Sequence, residues 1–409
     1  MPDTATIRAF LDERHLALAG EVERFVALRV APLPVPQGDP EGREQARRLL
    51  ALLGEEGWLG YAVPETWGGH WPEPDLRACC LIREALSAAS PLADAVFALQ
   101  CLGSMPITLA GSEAQRSRWL PEVASGRAMA AFAMTEPEAG SDVSSLATVA
   151  SREGDGYVLS GRKTLISNAG IADFHLVFAA TNREAGSRGL SCFLVEAGTP
   201  GLTFLGPQVL SAPHPLGELG FESCRLSAES RVGPEGEGFK LGMRTLDRLR
   251  PTVAAAACGM AARALDEAVA HARRRRQFGK PLAENQIVQE KLAIMATDLQ
   301  AARLLVYRAA WEGDIGDLGD AGEGRRISLP AAMAKAFATE AAQRIVDSAL
   351  QILGGRGVLA EHPVEHLYRS VRALRIYEGT TEIQHLVIAR HLLKEATPPV
   401  SPTPLVSQE

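Results

Sequence analysis

One carboxylate stands out in the sequence as a candidate for acid–base chemistry. Glu378 lies between Tyr377 and Gly379 in the segment Arg375–Gln384, which reads RIYEGTTEIQ. A carboxylate held in an apolar cleft has a raised pKa and can act as a general base. Most glutamates that precede a glycine lie on exposed surface, so this segment by itself also fits an ordinary surface turn.

Two turns rich in hydroxyl and glycine residues are candidates for ligand contacts. Met134–Asp142 reads MTEPEAGSD, and Leu165–Gly170 reads LISNAG at the end of a predicted strand. The hydroxyl groups of Thr135, Ser141 and Ser167 can donate hydrogen bonds to carbonyl or phosphate oxygens or to the edge of a flat heterocycle. Tight turns with small residues also let a ligand approach the backbone. Each turn taken alone is more typical of an ordinary strand-exit loop than of a ligand site.

Two helix ends are candidates for phosphate or nucleoside contacts. Arg273–Gly279 reads RRRRQFG at the end of a long predicted helix. Cations at a helix C-terminus gain about 0.3–1 kcal/mol from the helix dipole, but the donor fork of arginine also suits a pyrophosphate. In Gln351–Gly357, which reads QILGGRG, Gly354 and Gly355 predict a helix stop whose backbone amides are open to a ligand.

The elements that must position these motifs fall into three successive regions of different texture. Apolar residues recur at helical spacing up to about residue 127, short β-rich runs follow to about 233, and longer helical stripes return after that. The predicted segments are the helices Ala46–Gly57, Leu76–Ala88 and Glu113–Ala124; the strands Gly156–Ser167, His175–Thr181, Leu190–Glu196 and Gly201–Leu205; the helices Gly238–Arg273, Asn285–Trp311 and Ala331–Leu353; and a last helix, capped by Thr380 or Thr381, that runs to Lys394. The order predicts a small antiparallel barrel or sandwich between two helical regions, the second of them a bundle.

Composition and charge narrow the class of protein. With 409 residues, 46% hydrophobic and 22% charged, the chain predicts a globular protein of two or three domains. The net charge of −7 and an aromatic content of 5% argue against a nucleic-acid-binding surface.

Further features predict a soluble protein without a metal site. The longest apolar stretch, around Ala85–Gly111, is interrupted by Pro91, Asp94, Gly103 and Pro106, so no membrane insertion is expected. The charged N-terminal residues do not suit a signal peptide. Six cysteines form no CxxC pair and no cluster with histidine; we expect reduced, mostly buried thiols in a cytoplasmic protein.

Taken together, the motifs resemble those of the acyl-CoA dehydrogenase family over about Ile7 to Lys394. The MTEPEAGSD turn, the RRQFG turn, the QILGG stop and the YEGTTEIQ segment stand in that family's order. Supporting matches are Gly60–Gly69 (GYAVPETWGG), Leu246–Pro251 (LDRLRP) and His362–Tyr368 (HPVEHLY).

The resemblance implies a fold, a cofactor and partners. It implies an N-terminal helical domain (residues 1–129), a central antiparallel β-barrel or sandwich domain (130–233) and a C-terminal four-helix bundle (234–396), followed by a disordered tail (397–409). It implies non-covalently bound FAD, an acyl-CoA substrate, an electron-transfer flavoprotein as acceptor, a role in fatty acid metabolism, and a homotetramer, with a dimer as the alternative.

The resemblance also implies roles for individual residues. Glu378 matches the catalytic base. The residues that match contacts to FAD are Phe132, Met134, Thr135, Gly140, Ser141, Leu165, Ile166, Ser167, Arg275, Phe278, Gln286, Gln351, Gly354, Gly355, Thr380 and Glu382, with Thr135 and Ser167 near the polar edge of the flavin ring. Arg275, Phe278, Gln351, Gly354 and Gly355 would reach the FAD of a neighbouring subunit. The residues that match contacts to the acyl-CoA are Ser141, Asp247, Arg250 and Gly379.

Two departures from the family pattern bear on the chemistry. The usual tryptophan of the second motif is Leu165 here, and the usual basic, Ser/Thr-bearing segment is replaced by Leu210–Gly217. Some relatives take the base from the helix before the arginine-rich turn. In the matching window of this chain, Leu241–Arg250, Asp247 is the only carboxylate, and Leu249 stands at the position of that base. Glu378 is therefore the preferred base.

Three functions remain as alternatives at this stage. The main one is dehydrogenation of an acyl-CoA to the trans-2-enoyl-CoA. A flavin-dependent oxidase or monooxygenase on the same fold is the second, which Leu165 leaves open and Glu378 disfavours for monooxygenases. A non-enzymatic acyl-CoA or carrier-protein binding module is the third, disfavoured by the presence of Glu378, Thr135, Arg275 and Gln351 together.

Overall fold

The N-terminal region is helical, and two of its α-helices are largely buried. The computed structural model describes residues 2–316 and 327–395. The helices here are α1 (Glu13–Phe25), α2 (Asp39–Glu55), α3 (Leu76–Ala89), α4 (Pro91–Ala110) and α5 (Glu113–Ala124). Nearly all of α3 and most of α4 are buried, so these two helices form the core of the region.

Helix α4 contains all four residues that interrupt the apolar stretch around Ala85–Gly111. Pro91 occupies its first turn, and the Ser90 side chain caps this end by accepting a hydrogen bond from the backbone N–H of Ala93 at 3.2 Å. Gly103 and Pro106 lie inside the helix and do not end it. A Cβ atom at Gly103 would lie 2.2 Å from the Cβ of Ala130, so this glycine permits close packing against the first strand. By length and composition alone α4 qualifies as a membrane-spanning helix, yet 78% of its most apolar window is buried within the fold, as in a core helix.

The central region is built on one sheet. Its strands are β1 (Ala130–Ala133), β2 (Val149–Glu153), β3 (Gly156–Ser167), β4 (Phe174–Ala180), β5 (Leu190–Glu196), β6 (Leu202–Pro207), β7 (Leu216–Leu226) and β8 (Arg231–Val232). The order across the sheet is β6-β7-β3-β2-β4-β5-β8, with β1 beside β4. Most neighbouring strands are antiparallel, as predicted. The exceptions are β1, which is parallel to β4, and β2, which pairs with β4 in parallel through a single residue pair.

The C-terminal region is a helical bundle. It contains α6 (Gly238–Arg274), α7 (Gln286–Gly316), α8 (Ser328–Leu353), α9 (Pro363–Leu374) and α10 (Thr381–Glu395), and the hairpin of β9 (Arg276–Gln277) and β10 (Lys280–Pro281) follows α6. Helix α6 packs against α7, α8 and α3. The buried carboxylate of Glu84 on α3 accepts hydrogen bonds from Arg303 Nε at 2.8 Å and from the Tyr307 hydroxyl at 2.9 Å on α7. The two helical regions are thus joined through a satisfied polar cluster.

The predicted segments are present, and several further helices and strands were not assigned from the sequence. The predicted helices and strands correspond to α2, α3, α5, α6, α7, α8 and α10 and to β3, β4, β5 and β6, while β1, β2, β7, β8, α1, α4 and α9 were not assigned. Thr380 caps α10, with its hydroxyl oxygen 3.3 Å from the Ile383 backbone nitrogen. The six cysteines are free and buried, as expected. The predicted tail 397–409 lies outside the described residues.

Candidate active site

Glu378 lies in a strained turn between α9 and α10. Its φ angle is 54° and that of Gly379 is 92°, so two successive residues adopt the left-handed region. This conformation is costly for a residue with a Cβ and is found most often where a site requires it. A Cβ atom at Gly379 would approach Gln384 Nε2 to 2.6 Å, so only glycine fits there without movement.

Three polar side chains hold the backbone of this turn. Arg250 Nε of α6 donates to the carbonyl oxygen of Glu378 at 3.0 Å. The carbonyl oxygen of Gly379 accepts hydrogen bonds from Lys335 Nζ of α8 at 2.6 Å and from Gln384 Nε2 of α10 at 3.0 Å. Each donor comes from a different helix of the bundle, so the position of the turn depends on the packing of that bundle.

One oxygen of the Glu378 carboxylate, in contrast, makes no hydrogen bond within the described residues. This atom, Oε2, is buried. Burial raises the pKa of Glu378 above its usual value of 4.5, against the opposing effect of the cations Arg83, Arg250 and Lys335. A fixed backbone with a buried, uncommitted carboxylate oxygen is the arrangement that a general base requires.

The cations near Glu378 donate hydrogen bonds to groups other than its carboxylate. Arg83, 2% exposed, donates from Nε and Nη2 to Asp94 at 2.7 and 3.0 Å and from Nη1 to Thr252 Oγ1 at 2.9 Å. Burial lowers the pKa of Lys335 to about 8. Because both cations face the turn from α3 and α8, they moderate the effect of burial on Glu378.

The competing carboxylate, Asp247, is already engaged. Its Oδ1 atom pairs with Arg250, and its Oδ2 atom accepts a hydrogen bond from the Ser328 hydroxyl at 2.5 Å. Leu249, at the alternative base position, is buried. Asp247 therefore supports Arg250, which in turn holds the Glu378 carbonyl, and it is poorly placed to accept a proton from a substrate.

The two hydroxyl-bearing turns at the ends of β1 and β3 are joined. The Thr164 backbone N–H donates to the carbonyl oxygen of Thr135 at 3.0 Å, and Lys163 Nζ donates to the carbonyl oxygen of Met134 at 3.0 Å and to Glu136 Oε1 at 2.7 Å. Glu136 also accepts from the backbone N–H groups of residues 147 and 148. A fully buried ion pair thus fixes the MTEPEAGSD turn to β3.

The end of β3 presents Leu165 and Ser167 at the surface of the sheet. The pairing of β3 with β7 shifts register between Lys163 and Ile166, and Leu165 there has φ 55° and a side chain that is 53% exposed. Its backbone N–H donates to Gln208 Oε1 at 2.8 Å. The Ser167 hydroxyl lies 2.7 Å from His214 Nε2. A bulge re-aims side chains locally, which explains how an apolar leucine comes to face outward here.

The residues of these two turns suit the flavin that the resemblance implies. Leu165 and the half-buried Phe132 offer apolar surface, and Thr135 and Ser167 offer hydroxyl groups. Met134 and Ile166 are 6% and 1% exposed, so their side chains lie in the core. Gly140 has no atom within 4 Å of the position where a Cβ would stand, and Ser141 beside it is exposed.

The remaining predicted cofactor contacts lie elsewhere on the bundle. Arg275, Gln286, Gln351, Gly354 and Gly355 are exposed at helix ends, and Phe278 has φ 49° and is 98% exposed. In the described part of the chain none of them hydrogen-bonds to Thr135, Ser167 or Glu378. Thr380 and Glu382 stand at the start of α10, beside the turn of Glu378.

Several residues of the site were not identified from the sequence. Lys335 carried a signal, since it is the one charged residue in the apolar run Ala331–Ala338. Arg83, His214 and the pair Lys163–Glu136 carried none, because their partners lie far away along the chain. Of the non-glycine residues with positive φ in the described ranges, Leu165, Asn168, Phe278 and Glu378 fall within predicted motifs and Ser223 does not.

Comparison with known proteins covers the whole fold. Residues 12–127, 131–227 and 236–393 match the N-terminal, middle and C-terminal domains of acyl-CoA dehydrogenase, respectively. The chain is 37% identical over 388 residues to the 3-(aryl)acrylate reductase of Clostridium sporogenes, covering 94% of this chain and 100% of that protein.

Two solved structures are similar over nearly the full chain. The butyryl-CoA dehydrogenase of Megasphaera elsdenii superposes with a TM-score of 0.86 and 34% identity, covering 94% of this chain and 99% of that one. A chain in the study of the electron transferring flavoprotein of Acidaminococcus fermentans gives a TM-score of 0.86 and 35% identity over the same shares. These matches agree with the three-region fold described above, and they establish that this chain belongs to the acyl-CoA dehydrogenase family of FAD-dependent oxidoreductases.

Proposed function

We propose that this chain oxidises an acyl-CoA thioester to the trans-2-enoyl-CoA, with Glu378 as the base that removes the α-proton. The observation that carries the proposal is the buried Oε2 atom of Glu378, which has no hydrogen-bond partner among the described residues and belongs to a carboxyl group of raised pKa. When bound, FAD would supply the acceptor for the β-hydride and a ribityl hydroxyl for the thioester carbonyl.

The protein's own part in this reaction is positioning and proton transfer. Arg250, Lys335 and Gln384 donate hydrogen bonds to the backbone carbonyl oxygens of residues 378 and 379. The backbone that carries the Glu378 side chain is therefore held in place relative to the α-carbon of a bound substrate. Hydrogen bonds to the thioester oxygen stabilise the negative charge that develops as the proton leaves. Burial disfavours the charged carboxylate, which strengthens it as a proton acceptor at neutral pH.

The partners and location follow as parts of the same proposal. The likeness to a chain from an electron transferring flavoprotein study supports such a flavoprotein as the electron acceptor. We further propose a cytoplasmic homotetramer, or a dimer, that acts in fatty acid metabolism. Exposed apolar side chains on the bundle, such as Phe278, Ile287 and Leu386, support burial of this surface against another copy.

The test is anaerobic mixing of the purified flavoprotein with a panel of CoA esters that differ in chain length, branching and aromatic character. Loss of the flavin absorption band and formation of the enoyl-CoA product are expected with at least one ester. A protein that retains FAD but is not bleached by any saturated ester would contradict the proposal, and a protein purified without flavin would favour the binding module instead.

A second candidate is a flavin-dependent oxidase on the same fold. The observation that favours it is Leu165, which is 53% exposed and stands where an aromatic shield was expected. An open flavin face would admit oxygen. Rapid reoxidation of the substrate-reduced protein by air, with formation of hydrogen peroxide, is the outcome expected of an oxidase, whereas slow reoxidation by air and rapid reoxidation by an electron-transfer flavoprotein are expected of a dehydrogenase.

A further inference from the structure

His214 makes a contact that the motifs of the sequence did not suggest. It lies in the loop between β6 and β7, within the segment Leu210–Gly217 that departs from the family pattern. Its Nε2 atom is 2.7 Å from the hydroxyl oxygen of Ser167, a direct hydrogen bond between this loop and the end of β3. Ser167 is one of the residues assigned above to the polar edge of the flavin.

The imidazole of His214 is neutral at physiological pH. Burial, together with the nearby Arg43, lowers its pKa to about 4. The charged groups around it are Arg43 and Asp39 of α2 and Arg369 of α9. Arg43 is committed, because it donates to Asp39 and to the carbonyl oxygens of residues 169 and 216. A neutral imidazole has one N–H and one lone pair, so Nε2 is a donor in one tautomer and an acceptor in the other.

We infer that His214 is a positioning residue that lets the Ser167 hydroxyl reverse its hydrogen bond, so that the flavin edge meets a donor when oxidised and an acceptor when reduced. The inference rests on the proposed placement of the flavin at Ser167. It adds a role for a residue of the Leu210–Gly217 loop, which otherwise has none in the reaction.

The chemistry of a flavin requires such a reversal. The N5 atom accepts a hydrogen bond in the oxidised ring and carries a hydrogen that it donates in the reduced ring. A serine hydroxyl has one hydrogen and two lone pairs. With FAD bound and oxidised, the Ser167 hydroxyl would donate to an acceptor at the flavin edge and accept from His214. With FAD reduced, it would accept from a donor at that edge and donate to His214. No group changes its net charge between the two arrangements.

The change of tautomer needs proton exchange with water, and the structure provides room for it. A cavity of about 130 Å³ borders His214, Asp39 and Arg369, which is space for several waters. Asp39 Oδ1 and Arg369 Nε are buried and lack hydrogen-bond partners within the described residues. Water in this cavity can take the proton from Nε2 of His214 and supply one to Nδ1, which changes one tautomer into the other. The opposite exchange restores the first tautomer.

A serine and a histidine at this distance also form the first half of a nucleophilic triad, but the rest of a triad is not present here. Asp39, the carboxylate at the same cavity, uses Oδ2 for Arg43, and its Oδ1 has no partner in the described part of the chain, so it does not orient His214. A histidine with a pKa near 4 is also a weak base at neutral pH. Positioning therefore fits the geometry better than nucleophilic catalysis.

The test compares the flavin midpoint potential of His214→Leu, His214→Gln and Ser211→Ala with that of the wild-type holoprotein, after FAD content and the visible spectrum have been recorded. His214→Leu leaves the Ser167 hydroxyl without an acceptor in the reduced state and without a donor in the oxidised state. A buried donor without a partner costs more free energy than a buried acceptor without one. We expect the reduced flavin to be bound about 3- to 10-fold more weakly relative to the oxidised one, which lowers the midpoint of a two-electron couple by about 15–30 mV.

The control variants separate this role from a structural one. His214→Gln keeps a donor and an acceptor at the same reach and should restore most of the wild-type potential. Ser211→Ala, in the same loop but without contact to Ser167, should have no effect. In a Ser167→Ala background, His214→Leu should no longer change the potential.

An unchanged potential in His214→Leu at normal FAD content, or a shift of the same size in the Ser167→Ala background, would overturn the inference while leaving the proposed function intact. If His214→Leu does not fold, the comparison of His214→Gln with wild type decides, since a large shift there contradicts the inference. Absence of flavin from the wild-type protein would defeat the proposed function and the inference together.

Discussion

Glu378 combines a fixed backbone with a free carboxylate oxygen, and the groups around it set its proton affinity. Burial raises its pKa, while Arg83, Arg250 and Lys335 oppose this. Lys335 has a pKa of about 8 and is therefore charged at neutral pH. Arg250 and Lys335 affect the pKa of Glu378 and also hold the backbone of its turn. A test of the electrostatic effect therefore needs a control variant that changes the backbone contacts without a change of charge.

We predict that the pH dependence of kcat/KM has an acid limb above pH 4.5 that reports Glu378. Protonation removes the base, so activity is lost as the pH falls through its raised pKa. Lys335→Met removes a cation that lowers this pKa, and the limb should move to higher pH. Gln384→Ala is the matched control, because it removes the other hydrogen bond to the Gly379 carbonyl without a change of charge. Equal shifts in both variants would show that the limb follows the geometry of the turn and not its electrostatics.

At the scale of elements, the site depends on how β1, β3 and the bundle are tied together. The ion pair of Lys163 and Glu136 has both side chains almost fully buried, at 0% and 4% exposure. Burial lowers the pKa of Lys163 to about 8, yet the lysine stays charged because Glu136 lies beside it. A buried pair of this kind stabilises a particular conformation more than it adds net stability, and here that conformation is the MTEPEAGSD turn.

We predict that Lys163→Met lowers the free energy of unfolding by about 3–5 kcal/mol, because it leaves the Glu136 carboxylate buried without a cation. FAD should also be lost on gel filtration, since the turn is no longer held to β3. The neighbouring Arg162, whose pair with Glu218 is exposed, provides the control, and Arg162→Met should cost less than about 1 kcal/mol. Denaturant unfolding of both variants checks this, and similar costs for the two would contradict the account of Lys163.

At the scale of the whole molecule, the sequence predicted the region order and the motif positions well but not the contacts between distant segments. Periodic helices such as α6 and α8, and strands such as β3 and β5, were identified because their patterns are local. The parallel position of β1 and the continuity of α4 through Gly103 and Pro106 depend on tertiary packing. The partners of Glu378 and Ser167 lie 128 and 47 residues away along the chain, at Arg250 and His214, a separation that motif spacing does not reveal.

We predict that Arg275→Ala weakens FAD binding in a homo-oligomer. Arg275 is exposed in the single chain and matches a position that reaches a neighbour's FAD. Loss of a charge-assisted hydrogen bond costs about 1.5–3 kcal/mol, equivalent to roughly 10- to 100-fold in affinity. Equilibrium dialysis measures FAD affinity, and analytical ultracentrifugation measures assembly. Normal FAD retention by the variant, or full activity in a monomer, would contradict the prediction.

The central claim, that Glu378 is the base, is tested most directly by anaerobic stopped-flow reduction of the Glu378→Gln protein with the best CoA ester. Glutamine is nearly isosteric and keeps the backbone carbonyl contacts, so FAD content and ester binding should be retained. Loss of the proton acceptor should slow flavin reduction by about 100- to 10,000-fold, leaving a yellow protein that binds substrate. Reduction at the wild-type rate would contradict the claim, and Asp247 would then be the carboxylate to replace.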